Sequence, residues 1–159
     1  MSLLRPLAQI HPNARTREFW EHCRRRELRL QRCADCGAFR HPPLGGCPHC
    51  ASAAVEWVAV EGPARVFSYT NVHHAAIPQL AEEVPYNVVV VEFDDAPGAR
   101  LISNVLGTPL EDVRIGMELE LCWDEVAPEL VLPRFKLKDS GPSTRSRSRA
   151  TRPAARPVP

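Results

Sequence analysis

Cys33-Ala-Asp-Cys36 and Cys47-Pro-His-Cys50 are two Cys-x-x-Cys pairs ten residues apart, and their reading decides the fold around them. Each pair makes a tight knuckle whose backbone amides point at the sulfurs, and two knuckles bring four thiolates to the corners of one tetrahedron. Gly45-Gly46 permits the bend into the second knuckle. Zinc suits four soft thiolates with no redox duty; iron in a rubredoxin-type centre fits the same geometry, so the metal stays open at this level. Four cysteines fill the coordination sphere and leave no position for water or substrate. The site is therefore predicted to be structural, with Cys33, Cys36, Cys47 and Cys50 as ligands and no catalytic residue. Two disulfides would need an oxidising compartment, and a thioredoxin-like centre would need only one pair in a βαβ setting. Cys23 and Cys122 read as small apolar fillers, and His41 and His49 as surface groups or neighbours of the thiolates.

Outward from the knuckles the periodicity changes twice. Upstream, a helix is predicted from Asn13 or Thr16, either a good N-cap, to about Leu28, with Phe19, Trp20 and Cys23 on its apolar side. Its other face carries Arg15, Arg17, Arg24, Arg25 and Arg26, a solvated face or a docking face for an acidic partner or phosphate-bearing cofactor. Downstream the period is two. Strands are predicted over 55–60, 64–72, 86–93, 100–106, 117–123 and 130–137, with turns at Gly62-Pro63, Asp94 to Gly98 and Gly116. Val88 to Val91 is continuously apolar, as in a strand covered on both sides. Five or six short antiparallel strands closing on themselves suggest an OB-type barrel. The fold class is mainly β: an N-terminal segment with a helix (1–30), a rubredoxin-like zinc ribbon (31–53), an OB-fold barrel (54–138) and a basic tail (139–159). The tail is Ser, Arg, Pro and Ala, too poor in apolar surface to offset its ordering entropy, and is predicted to be disordered.

Composition bounds the function. With 159 residues, 44% hydrophobic and 25% charged, the chain has the make-up of a soluble protein. No apolar run approaches the roughly 20 residues that span a bilayer. Met1 to Ile10 lacks the pattern of a secretory signal, so a cytoplasmic location is expected. Six basic residues and one acid from Lys138 onward leave the remainder at −4 within a formal net charge of +1. A mildly acidic body argues against nucleic acid as the main ligand.

The order of features resembles a known family. Phe19-Trp20, Leu30-Gln31-Arg32-Cys33, Cys36-Gly37, Pro42-Pro43, Cys47-Pro48-His49-Cys50, Trp57, Gly62 before Val66-Phe67-Ser68-Tyr69-Thr70, Pro85-Tyr86, Gly116 and Pro133-Arg134-Phe135 resemble the zinc-ribbon plus OB-fold proteins associated with acyl-CoA. The likeness covers about residues 13–137. It implies a non-catalytic subunit or domain partnered, as a hetero-oligomer, with a thiolase-like enzyme such as a sterol-carrier-type thiolase or aldolase, or with a hot-dog-fold enoyl-CoA hydratase. It further implies a role in a lyase or hydratase complex of lipid metabolism, notably steroid side-chain degradation, and a possible acyl-CoA contact. Pro63-Ala64 stands where the family more often has a second glycine, and Leu44 where a basic residue often follows the paired prolines.

The residues themselves offer little catalytic machinery. No Ser-His-Asp order, glycine-rich phosphate loop or carboxylate pair stands out. His73-His74 is the most tempting pair, but adjacent histidines at a strand end point in opposite directions. The segment from His73 to Pro85, with Ile77, Leu80 and Val84, reads as an apolar insertion seeking a protein surface. Phe67, Tyr69, Ile77, Leu80 and Tyr86 are the candidate interface residues. Single-stranded nucleic-acid binding is the alternative, since both modules serve it. The strands beside Phe67 and Tyr69, however, carry Glu92, Glu118 and Glu120 instead of lysines.

Overall fold

The computed structural model describes residues 11–138; the expected basic tail, 139–159, lies outside the described residues. The chain runs α1 (Arg17–Arg24), β1 (Arg29–Cys33), β2 (Phe39–Arg40), β3 (Val55–Ala59), β4 (Ala64–Val72), β5 (Tyr86–Phe93), β6 (Arg100–Ser103), β7 (Glu118–Ala127) and β8 (Leu130–Leu137). A three-stranded sheet has the order β2-β1-β3, and a five-stranded one β6-β5-β4-β7-β8. Every pairing within the two sheets is antiparallel.

Thr16 stands at the N-cap, yet its side chain caps no amide of the helix; Asn13 and Thr16 bond to each other instead. The Asn13 side chain accepts from the Thr16 amide and the Thr16 hydroxyl accepts from the Asn13 amide, at 3.0 and 3.1 Å. The helix is shorter than its apolar stripe suggests. Arg26 adopts φ 59°, and the amides of Arg26 and Glu27 donate to the carbonyls of Cys23 and His22 at 2.8 and 3.0 Å. This closing motif satisfies the last carbonyls and turns the chain directly into β1. The arginine-rich face is partly engaged within the chain, Arg24 reaching Glu129 at 3.5 Å and Arg26 reaching Glu125 at 3.5 Å. Exposed pairs of this kind contribute about 0–1 kcal/mol each, so they orient the helix more than they hold it.

Alternation assigned the strand at 55–60 to the barrel, but β3 pairs with β1 along its whole length, Arg29 opposite Ala59 and Cys33 opposite Val55. Its half-exposed face lacks the buried row that would seat it in a barrel. The other five expected strands form the barrel. The Val88–Val91 run is not covered on both sides: Val89 and Val91 are fully buried, whereas Val88 and Val90 are half-buried on the outer face, where Val90 lies opposite the exposed Ile102. β6 stops at Ser103, short of the expected Leu106, because the chain there changes partner from β5 to β8. β7 runs on past Trp123 to Ala127, with a bulge between Glu125 and Ala127 and Glu129 at φ 64° making the hairpin turn.

The barrel closes by a parallel bridge between Val105 and Phe135. The Phe135 amide donates to the Asn104 carbonyl at 3.1 Å, and the Leu106 amide to the Phe135 carbonyl at 2.7 Å. Side chains complete the closure. Asn87 donates to the Val105 carbonyl at 2.8 Å and accepts from its amide at 2.7 Å, Ser103 donates to the Pro133 carbonyl at 2.7 Å, and Arg134 bridges Asn104 and Asp124. Helix, ribbon and barrel share one core, in which Phe19, Cys23, Leu28 and Leu30 meet Val66, Val89, Val91 and Phe135. Among the described residues no helix is long and apolar enough to cross a membrane.

Candidate metal centre

The two knuckles are built alike, residue for residue. In the first, the Gly37 amide donates to the Cys33 carbonyl at 2.9 Å, and the Cys33 amide to the Ala38 carbonyl at 2.9 Å. In the second, Ala51 donates to the Cys47 carbonyl at 2.9 Å, and Cys47 to the Ser52 carbonyl at 2.7 Å. The residue after each second cysteine is left-handed, Gly37 at φ 74° and Ala51 at φ 62°. The amides of Asp35 and Cys36 face the Cys33 sulfur, and those of His49 and Cys50 face the Cys47 sulfur. Ala38 and Ser52 supply the corresponding amides to Cys36 and Cys50. The Ser52 hydroxyl donates to Asp35, tying one knuckle to the other.

The four sulfurs lie within 4.8 Å of one another. Cys33 to Cys50 is 3.6 Å and Cys36 to Cys47 is 3.5 Å, far beyond a disulfide bond. A tetrahedral ion with metal–sulfur bonds of about 2.3 Å has sulfur–sulfur edges of about 3.8 Å, close to the spacing of these four sulfurs. Electrostatics agree with the fit. The Cys36 amide, with help from that of Asp35, holds the Cys33 thiol down to about 6. The Ser52 amide pulls on Cys50 in the same sense, but the thiols of Cys36 and Cys33 override it and push Cys50 up to about 12. Four thiolates this close need a central cation before all can ionise.

The other sequence candidates scatter. His49 is exposed and contributes its backbone amide, not its ring, to Cys47, at 3.4 Å. His41 packs on Phe19 with ring centres 4.8 Å apart, and burial pushes it down to about 4, so it stays neutral. Cys23 is a core residue whose thiol is pushed up to about 12 by burial; Cys122 is half-buried and shifted the same way. His73 and His74 are both exposed. Of the proposed interface residues, Leu80 is buried by its own chain in a short turn over Pro78–Leu80, and Tyr69 packs against the core. Phe67 is 47% exposed, because the bulge between Val66 and Ser68 turns it outward.

Sequence reasoning missed the buried polar groups. Arg40 and Leu44 both donate to the Gln31 side chain, at 2.9 and 3.0 Å, bracing the ribbon. It also missed a groove of about 390 Å³ where ribbon meets barrel. Phe19, Trp20, His41 and Pro43 line one side of it, and the facing edges of β6 and β8, around Ile102 and Pro133, the other. An asparagine inside the apolar run of β5 was the one visible signal for the closing network.

Residues 20–56 match the family described as ChsH2, rubredoxin-like zinc ribbon domain, and residues 57–124 match ChsH2, C-terminal OB-fold domain. A probable enoyl-CoA hydratase alpha subunit of Thermomonospora curvata is 42% identical over 134 residues, 84% of this chain and 40% of the relative. The 3-oxo-4,17-pregnadiene-20-carboxyl-CoA hydratase alpha subunit of Mycobacterium tuberculosis is 35% identical over 76% of this chain and 38% of its own length. The chain thus spans about two fifths of the length of these relatives. Among solved structures, a chain of the Ltp2-ChsH2(DUF35) aldolase superposes with a TM-score of 0.72 at 38% identity, covering 81% of this chain and 98% of that one.

Proposed function

The chain belongs to the ChsH2 family of zinc-ribbon plus OB-fold proteins, and from that premise we propose that it is a non-catalytic accessory subunit completing an acyl-CoA-processing enzyme. Cys33, Cys36, Cys47 and Cys50 ligate one structural zinc ion that holds the ribbon. The partner is a thiolase-type aldolase of the sterol-carrier class acting in steroid or lipid side-chain degradation. The likeness to the aldolase chain carries this reading, since it runs through ribbon and barrel together and over nearly all of that chain. The closed thiolate set supports a structural metal, because nothing in it is free to bind substrate.

The hydratase relatives make a hydratase the second partner to test. Nucleic-acid binding draws no support from the barrel face. Tyr69 is turned onto the core, and Arg100 stacks over Phe67 at 4.0 Å. Glu92 and Glu118 are paired with Arg100 and Arg65 at 3.3 and 3.0 Å.

The test is co-expression with the enzymes encoded beside this chain, a thiolase-type or hydratase enzyme being the expected neighbour. The expected result is a stable hetero-oligomer in which acyl-CoA turnover appears only when both chains are present. A neighbouring enzyme that is soluble and fully active alone, beside a chain that stays monomeric, would overturn the proposal.

A further inference from the structure

The barrel is closed at one end of the β6–β8 seam and open at the other. Around Val105 the carbonyl of Asn104 and the amide of Leu106 point at β8, while Asn87 satisfies the amide and carbonyl of Val105 from the β5 side. Backbone direction alternates along a strand. Counting back by two from Asn104, the amides and carbonyls of Ile102 and Arg100 also point toward β8. There, however, the strands have parted and the groove lies between them. Across the gap, Pro133 turns its carbonyl to Ser103 and has no amide to offer. The seam therefore presents the backbone edge of β6 to the groove.

Three further features describe what would fit that edge. The groove floor is apolar, with Phe19, Trp20, Pro43 and Leu132 at hand. Ile102 is 71% exposed on its lip. Among the described residues the charged ones lining the groove are Arg100 and Arg134, each already paired, with Glu92 at 3.3 Å and with Asp124 at 3.6 Å, so the groove's charge is balanced and its selection is for an apolar side chain. Native edges of this sort are commonly blunted by charge or covered; this one carries an exposed isoleucine.

We propose that the β6 edge is a docking strand for an extended segment of the partner enzyme, which pairs with the backbone of Arg100 and Ile102. The segment places an apolar side chain in the groove. This is strand addition, in which backbone hydrogen bonds supply affinity and alternate side chains supply specificity. The inference rests on the accessory-subunit reading and deepens it by naming the surface.

Amide hydrogen exchange on the co-expressed complex and on the isolated chain tests it. The Arg100 and Ile102 amides are expected to exchange freely in the isolated chain and at least about tenfold more slowly in the complex. Ile102→Lys, at an exposed position, should weaken the complex by about tenfold or more. Ile115→Lys, 67% exposed but not among the groove's lining residues, should not weaken it. If wild-type chain forms the complex yet these amides exchange as in the free chain and Ile102→Lys binds normally, the docking strand is wrong while the accessory reading stands. Protection already present in the isolated chain, whether from a second copy or from residues 1–10, overturns it too. Failure of wild-type chain to form any complex overturns both.

Discussion

The ribbon and the barrel hold short strands together by opposite means. In the ribbon, β1 to β3 are brought to one centre by four sulfurs spread over eighteen residues, and the local pattern of each knuckle is repeated almost atom for atom. Among the described residues the barrel has no comparable centre. Closure depends on side chains far apart in sequence, Asn87 with Val105 and Arg134 with Asn104 and Asp124, above a core in which Phe135 is fully buried. A metal site concentrates stabilisation in a few bonds, and a β core spreads it over many contacts. The two regions should therefore fail differently.

The largest difference lies in metal removal. Structural zinc contributes on the order of 10–16 kcal/mol in comparable peptides, far more than so short a loop recovers from burial. Cys47→Ser should lose about one metal per chain by elemental analysis. Backbone amides of β1 and β3 should lose exchange protection, whereas those of β5 keep theirs. Because Phe19 and Leu30 share the core with Phe135, apolar surface is exposed and solubility falls. Folded protein with no bound metal would contradict the division of labour.

Phe135→Ala reverses the experiment. Truncating a fully buried phenylalanine costs about 3–5 kcal/mol through lost burial and a cavity, and this one also carries the backbone bridge that closes the barrel. The melting temperature should drop by roughly 6–20 degrees, at about 2–4 degrees per kcal/mol for a unit of this size. The metal content of the residual folded protein should not change.

How much of each region was legible follows from the same contrast. Ligand spacing is local, so the four thiols could be read directly. The ribbon strands could not, because in β1 and β2 the buried positions include Gln31 and Arg40, which satisfy each other and hide the alternation. The barrel strands showed as period two, apart from β3, whose exposed alternation suited either sheet. Of their closure only Asn87, polar within an apolar strand, gave a sign, since the pairings it hangs on, such as Asn87 with Val105, are created only by the fold. Leu80 was misread as an interface residue because a loop's apolar residues look the same whether the partner is another chain or their own.

His41 sits where the regions meet, and acid should loosen that junction. Burial holds its folded-state value at about 4, below the ordinary 6.5. The unfolded chain therefore takes up the proton first. Stability from this residue is whole above about 6.5, falls as the pH drops from there to about 4, and levels off below. A shift of this size amounts to about 3 kcal/mol. Acid also competes with metal for the thiolates, so the measurement is the difference between wild type and His41→Gln in urea unfolding across pH 7 to 4. The difference should narrow steadily as the pH falls; a constant one would show that His41 titrates freely.

The smallest effect tests the likeness of the two knuckles. Gly37 and Ala51 hold equivalent left-handed positions, at φ 74° and 62°, but only the first is glycine. A non-glycine residue there carries roughly 1–2 kcal/mol of steric strain. Replacing it with glycine returns about 0.4–1 kcal/mol in unfolded-chain entropy, so Ala51→Gly should stabilise the ribbon by a net few tenths to about 1 kcal/mol. Gly37→Ala should cost a similar amount. A methyl group at Gly37 meets nothing within 4 Å, so its penalty is one of backbone conformation alone. Chelator competition on the metal-loaded protein reads both: Ala51→Gly should release metal at higher chelator concentration than wild type, and Gly37→Ala at lower. If Ala51→Gly releases metal more readily, the alanine methyl is being used for packing, and the knuckles differ at a position where their backbones agree.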